Sequence, residues 1–214
     1  MVTANAGPDH LGVAVYTGDS LDTLAEVEWS VFDEVAFWPR LSDPAGLGVD
    51  LGSLRWDFGD GTTSTEQYPR HRFAGDGDHQ VRLTARTVDG RTASATHTSV
   101  VRTHDVAVVK LNTPSTARAG QLVGVTVDVR NTRYDENVDV RLHRSGPFGY
   151  EAVGVDTRPV PARSGSTSFS FAYTVTPQDA AAGKVTFRAV AAVRDHRDAL
   201  PADNELLSAS VRVR

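Results

Sequence analysis

The sequence predicts an all-β protein folded as two successive sandwiches. Short runs alternate apolar and polar residues with a period of two, turn signals separate those runs, and no segment sustains a helical period. Residues 79–88 place Val81, Leu83 and Ala85 on one face, and residues 122–131 do the same with Val123, Val125, Val127 and Val129. The pattern returns at Val138, Val140 and Leu142, at Phe169, Phe171, Tyr173 and Val175, and at Val185, Phe187 and Ala189. Between the runs stand Asp60-Gly61, Asp89-Gly90, Asn131-Thr132 and Ser164-Gly165, all turn formers. The Ala-rich stretch "PQDAAAGK" at 177–184 predicts a single helical turn closed by Gly183. Strand patterning stops at Arg102 and restarts at Val106, which divides the chain near residue 103. About 100 residues on each side is the size of an immunoglobulin-like sandwich. The expected layout is an N-terminal arm or first strand over 1–26, one sandwich over 27–102 and a second over 103–214.

Composition narrows the function classes. The 214 residues are 40% hydrophobic, enough for packed cores. A net charge of −5 argues against nucleic acid or an anionic membrane surface as the main partner. The charge is uneven: residues 1–60 carry eleven acids against two Arg, a balance of −9, and the rest carries sixteen acids against twenty bases, a balance of +4. The chain has no Cys, which excludes disulfide frameworks, zinc knuckles and thiol nucleophiles. No apolar run reaches the length of a membrane span, so no membrane insertion is expected. The start "MVTANAGPDHLG" has neither a basic nor an apolar signal region.

The stretch "RWDFGDG" at 55–61 concentrates acids, glycines and aromatics, and four readings compete for it. Asp57-Phe58-Gly59 matches the DFG element of kinases, and His196-Arg197-Asp198 matches their HRD. The order is reversed, however, and the position that needs Asn holds Asp203. An EF-hand loop starting at Asp57 fails at Gly59 and at Tyr68. A looser calcium site from Asp57, Asp60, Asp76 and Asp78 stays open as the only cofactor expectation. A phosphate cradle would need a helix after the glycines, and Pro69 follows instead. The fourth reading is structural. Trp56 and Phe58, two apart, face a core while Asp57 faces out, and Gly59 and Asp60-Gly61 bend the chain. No serine, zinc-protease or other catalytic signature is found, so no catalytic residues are expected.

With these residues in place, "SVFDEVAFWPRLSDPAG", "LRWDFGDGTTS" and "HRFAGDGDHQVRLTARTVDG" together resemble the PKD domain family over about residues 27–102. The resemblance implies a seven-strand immunoglobulin-like sandwich with a structural signature at Trp56, Asp57, Phe58, Gly59, Asp60, Gly61, His71 and Phe73. Two positions depart from the family pattern. His79 stands where an aromatic usually follows the Gly-rich turn, and the acidic turn that supplies calcium ligands in some members is reduced to Asp43. The second half, with "HDVAVV", "AGQLVGVTVDVRN" and "ADNELL", resembles the CARDB-type adhesion modules of bacteria and archaea.

Both resemblances imply a non-catalytic, surface-exposed structural or interaction protein, extracellular or on a virion surface. The first reading is a decoration or adhesion protein of a bacteriophage capsid or tail. The alternative is a cell-surface or secreted module pair, associated with adhesion or carbohydrate, from a larger adhesin or hydrolase. The expected partners are proteins on a particle or cell surface, with carbohydrate as a further candidate. Trp29, Trp38, Tyr134, Phe148 and Tyr150 are the candidate ligand aromatics, and "SGPFGY" at 145–150 makes Phe148 and Tyr150 the candidate interaction loop.

Overall fold

The computed structural model describes residues 11–17 and 28–214. The regular structure of the described residues is nearly all strand, and the chain divides into two compact units, Met1–Thr103 and His104–Arg214. Among them no helix is long and apolar enough to cross a membrane.

The first unit contains β1 (Gly12–Thr17), β2 (Val35–Ser42), β3 (Val49–Asp57), β4 (Thr63–Ser64), β5 (Arg70–His71), β6 (Gly77–Thr87) and β7 (Thr92–Val101). One sheet runs β1-β2-β5 and the other β4-β3-β6-β7. All seven of these strands pair antiparallel. The expected arm over 1–26 is in part a strand of this sandwich. β1 pairs with β2 from Gly12↔Ser42 to Thr17↔Phe37, and its Val13, with Leu11 just before it, is buried in the core. The remainder of that span, residues 1–10 and 18–26, lies outside the described residues.

Alternation dictates the core. Val35 and Phe37 of β2, Leu54 and Trp56 of β3, and Val81, Leu83 and Ala85 of β6 point inward and are buried. Phe37 is the hub. Its ring lies 6.0 Å from Trp56, 5.3 Å from Phe58 and 6.4 Å from Phe73, centroid to centroid. The buried indole of Trp56 keeps its one polar atom satisfied, because Nε1–H donates to the Glu66 carbonyl at 2.9 Å.

The second unit contains β8 (Val106–Asn112), β9 (Thr116–Ala117), β10 (Leu122–Asn131), β11 (Glu136–Gly146), β12 (Gly149–Val160), β13 (Ser166–Thr174), β14 (Lys184–Val185), β15 (Phe187–Val193), β16 (Glu205–Leu207) and β17 (Val211–Val213). Its sheets run β13-β10-β8, β12-β11-β15-β16 and β14-β17-β9, the last with a parallel β17–β9 pair. Val125, Val127 and Val129 of β10, Val138, Val140 and Leu142 of β11, Phe169 of β13 and Phe187 of β15 form the buried core.

The Ala-rich stretch is helix α1, Pro177–Ala182. Thr176 and Asp179 form a reciprocal capping box at its start, and Gly183 closes it in the left-handed conformation at φ 70°.

Two stability measurements follow. Trp56→Ala removes the largest buried side chain of the first unit and is expected to cost about 3–5 kcal/mol in urea denaturation; a loss below about 1 kcal/mol would contradict this packing. The glycines of the turn are unequal. A Cβ at Gly59 (φ 75°) would meet the Gln80 backbone N and O at 2.8 Å, whereas a Cβ at Gly61 (φ 89°) meets nothing. Gly61→Ala therefore incurs only the torsional cost of about 1–2 kcal/mol, and Gly59→Ala clearly more. Equal costs would contradict the close approach.

Candidate functional site

The "RWDFGDG" segment ends β3 and turns the chain into β4. The connection spans five residues, 58–62, closed by Phe58 N–H donating to the Thr62 carbonyl at 3.1 Å, so it is longer than the tight two-residue hairpin that Asp60-Gly61 predicts. Each acid stitches its own turn. Asp57 Oδ1 accepts the Gly59 N–H at 3.0 Å. Asp60 Oδ1 accepts the Thr62 N–H at 3.0 Å and the Thr62 hydroxyl at 2.6 Å. The second oxygen of Asp60 meets His71 Nε2 at 2.7 Å, while the imidazole stacks on Phe58 at 4.1 Å with the rings 7° apart. His71 also stands edge-on to Phe73, and His79 stacks on Phe73 at 4.3 Å. The histidine at the aromatic position thus takes an aromatic's place in the stack.

The candidate calcium acids are taken up by protein donors. Besides Asp57 and Asp60, Asp76 accepts the Thr103 hydroxyl at 2.6 Å, and Asp78 accepts Arg102 at 2.6 Å. The four do not converge to metal-ligand spacing. Asp43 accepts the N–H groups of Leu47 at 2.9 Å and Gly48 at 3.0 Å and pairs with Arg91 at 3.0 Å. These contacts make the segment a fold device.

The sequence-derived aromatic candidates separate in space. Trp29 is half-buried and packs on the first unit's core, its backbone bridging to Val101. Tyr134 is half-buried, 4.9 Å from the His104 ring. Phe148 is fully exposed at the tip of the β11–β12 hairpin, where Gly146 pairs with Gly149 and only Pro147 and Phe148 form the turn. Tyr150 stands 41% exposed in the pair next to the turn, with Arg188 5.7 Å over its ring. The hairpin is held by Arg144, which pairs with Glu151 at 2.6 Å and with Asp179 at 3.2 Å.

Trp38 belongs to a larger arrangement. On β2 the residues Phe37 and Leu41 face the core, so Trp38 and Arg40 face out. Tyr16 of β1 is directly opposite Trp38 in register, and its hydroxyl accepts Arg40 Nη1–H at 3.3 Å. Tyr68, from the turn before β5, packs on Trp38 with centroids 5.3 Å apart and planes 47° apart. Trp38 is 37% and Tyr68 54% exposed. A row Tyr16–Trp38–Tyr68 therefore lines the outer face of the β1-β2-β5 sheet, with Arg40 beside it. The sequence pattern marks Trp38 but neither tyrosine: Tyr16 stands far from any quoted motif, and Tyr68 comes from a turn without alternation.

Comparison with known proteins agrees with the first unit. Residues 32–103 match the model of the PKD domain family. A microbial collagenase of Vibrio alginolyticus is 45% identical over 60 residues, which are 28% of this chain and 7% of the collagenase. The chain thus matches only a small fraction of that relative's length. Among solved structures, a study of the promiscuous specificity of carbohydrate-binding modules of the β-sandwich superfamily supplies a likeness with TM-score 0.36 and 12% identity, over 80% of this chain and 86% of that one. Dimeric latent PorU from Porphyromonas gingivalis gives TM-score 0.35 and 12% identity, over 98% of this chain and 20% of that one. Likenesses this slight carry nothing about function.

The Asp60–His71 contact makes the first unit sensitive to acid. Burial would raise the Asp60 carboxyl, but the Thr62 hydroxyl and His71 bonds outweigh it and hold the group below its ordinary 3.8. A depressed carboxyl stabilises the fold above its unfolded pKa and loses that contribution as pH falls through the folded value. Asp60→Asn should therefore melt below wild type at neutral pH, and the gap should narrow between about pH 5 and pH 2. A gap in melting temperature that stays constant over that range would contradict the assignment.

Proposed function

We propose that this chain is a non-catalytic, extracellular accessory module pair that holds a polysaccharide chain against the outer face of its first unit. The observation that carries the reading is the exposed, mutually packed Trp38–Tyr68 pair with Tyr16 in line. Aromatic faces stack on the C–H faces of sugar rings, and their large contact area costs little side-chain entropy. Arg40 and the tyrosine hydroxyls supply donors and acceptors for sugar hydroxyls along the row. The 47° between the Trp38 and Tyr68 planes suits a single twisted chain better than a flat crystalline face. The PKD match over 32–103 and the shared segment with a microbial collagenase support an accessory module from a larger extracellular protein. The bacteriophage-decoration reading has no such support. Within this proposal 104–214 is the CARDB-like adhesion module, and the fully exposed Phe148 is its candidate contact.

Pull-down and affinity electrophoresis against a polysaccharide panel test this, with gelatin as a protein control. Wild type should bind at least one polysaccharide. Trp38→Ala and Tyr68→Ala should each weaken it about tenfold or more, with melting temperatures held within a few degrees. Binding that survives both changes but is lost in Phe148→Ala/Tyr150→Ala would move the site to the hairpin. Retention on gelatin alone would refute the polysaccharide assignment.

A further inference from the structure

The small sheet β14-β17-β9 of the second unit carries a charge pattern that the proposed function does not use. Val185, Val211, Val213 and Ala117 turn inward and are buried, so alternation sends their neighbours outward. Lys184 of β14 pairs in register with Arg212 of β17, and Arg212 with Thr116 of β9. Arg214 and Arg118 come one step beyond the buried pair Val213↔Ala117, where Arg214 N–H donates to the Ala117 carbonyl at 3.1 Å. Lys184, Arg212, Arg214, Arg118 and Thr116 are all exposed. A depression adjoins each edge of the sheet. One of about 250 Å³ lies beside Lys184 and Pro147, and one of about 640 Å³ is lined by Arg118, Gln121 and Arg214.

No acid answers these four cations. Segments 114–121, 183–194 and 206–214 contain no Asp or Glu. Among the described residues, none of Lys184, Arg212, Arg214 and Arg118 takes part in an ion pair. The β12-β11-β15-β16 sheet behaves differently: its Arg141, Arg144, Arg158 and Arg188 each pair with an Asp or Glu. Asp179 shares a depression with Lys184, but it is buried and already takes Arg144 and the Tyr173 hydroxyl. Setting Lys184 opposite Arg212 also costs the sheet stability, since like charges in directly opposed positions repel. A chain of net charge −5 thus gathers uncompensated positive charge on one face.

We propose that the outer face of β14-β17-β9 binds an acidic polysaccharide, one that carries carboxylate or sulfate groups along its chain. Charge complementarity selects an anion, and the spread of the cations over three strands selects a repeating one. A guanidinium takes a carboxylate through two parallel N–H bonds, which suits Arg212, Arg214 and Arg118 to this role. The outward row of four cations and Thr116 has no apolar side chain, so it lacks the aromatic or aliphatic anchor that a protein partner would need. A hydrated polyanion needs no such anchor, and the depressions at the two edges leave space for sugar rings beside the charges. Binding of this kind is driven by charge and weakens as salt screens it. The face is separate from the Tyr16–Trp38–Tyr68 row, and its ligand is recognised by charge rather than by stacking.

Binding of the full chain to immobilised alginate, a carboxylated polymer, and to immobilised dextran sulfate tests this, with neutral dextran, poly-glutamate and duplex DNA as controls. Wild type should bind at least one of the two acidic polysaccharides, and the affinity should fall about tenfold between about 50 and 300 mM sodium chloride. Which polymer is held identifies the anion. Lys184→Gln/Arg212→Gln should bind about tenfold more weakly. The same variant should melt no lower than wild type, because the opposed like charges are gone. Trp38→Ala should leave this binding unchanged, which separates the basic face from the aromatic row. Absence of binding to both acidic polymers at low salt would overturn the proposal. So would undiminished binding in Lys184→Gln/Arg212→Gln, equal binding to neutral dextran, tighter binding to poly-glutamate or duplex DNA, or loss of binding in Trp38→Ala.

Discussion

The first unit depends on keeping four large rings in one layer of core while the chain reverses direction immediately beside them. Phe37 touches Trp56, Phe58 and Phe73, and all four are buried. Trp56 is supplied by β3 and Phe58 by the turn that follows it, so the bend must begin without withdrawing either ring. Gly59 makes this feasible by lying against the Gln80 backbone where no Cβ fits. Asp57 and Asp60 then satisfy the turn's own N–H groups. His71 closes the assembly, presenting a ring face to Phe58 and a ring nitrogen to Asp60. An aliphatic side chain there would fill the volume and leave the second Asp60 oxygen without its partner; a phenyl ring would do the same.

Much of this was legible because the turn chemistry and the alternation agree. Trp56, Phe58, Val81, Leu83 and Ala85 face inward as a period of two requires, and the acids beside them are turn caps. β10, β11 and β15 are equally plain, since apolar residues mark every second position: valines in β10, Val138, Val140 and Leu142 in β11, and Phe187, Ala189 and Ala191 in β15. Other strands were not. β7, "TASATHTSVV", turns Ala93, Ala95, His97, Ser99 and Val101 to its inner face, so its alternation carries little apolar contrast before Val101. β12, "GYEAVGVDTRPV", is half exposed along most of its length and is specified by its register with β11 rather than by its own pattern. The aromatic row was half visible. A lone Trp at 38 attracts notice, but Tyr16 joins it only through the β1–β2 register, and Tyr68 only through the path of the chain into β5.

The second unit shows how one residue type can be settled in one place and exposed to strain in another. Asp179 is buried, yet Tyr173 donates to it at 2.5 Å, Thr176 donates through both N–H and hydroxyl at 2.8 Å, and Arg144 stands at 3.2 Å. These bonds outweigh burial and hold its carboxyl low, while burial and the Asp179 bond push the Tyr173 hydroxyl up to about 12. The network fixes α1 and the tip end of the β11–β12 hairpin through a single carboxylate. At Asp105 and Asp203 burial and the neighbouring acids outweigh a few main-chain bonds and the charge of Arg130, so both carboxyls are raised. A fold able to satisfy Asp179 so fully is not short of means to satisfy a carboxylate. The difference lies in what surrounds the second group, where main-chain N–H groups are directed to Asp198 rather than to its neighbours.

The same reasoning separates the exposed aromatics. Leaving a large ring in water forfeits burial that a core would reward, so isolated cases need no account, but an ordered group does. Phe148 is held out by a two-residue turn between strands whose pairing continues to Gly146 and Gly149, so it is presented whether or not a partner exists. Trp38 and Tyr68 spend part of their surface on each other and still remain 37% and 54% exposed. Tyr16 adds a third ring in line, with its hydroxyl tied to Arg40. Sheet geometry alone sends Trp38 outward, but it does not bring Tyr68 onto it. That contact comes from a turn outside the ladder, which is why the row, rather than the more exposed Phe148, carries the functional reading.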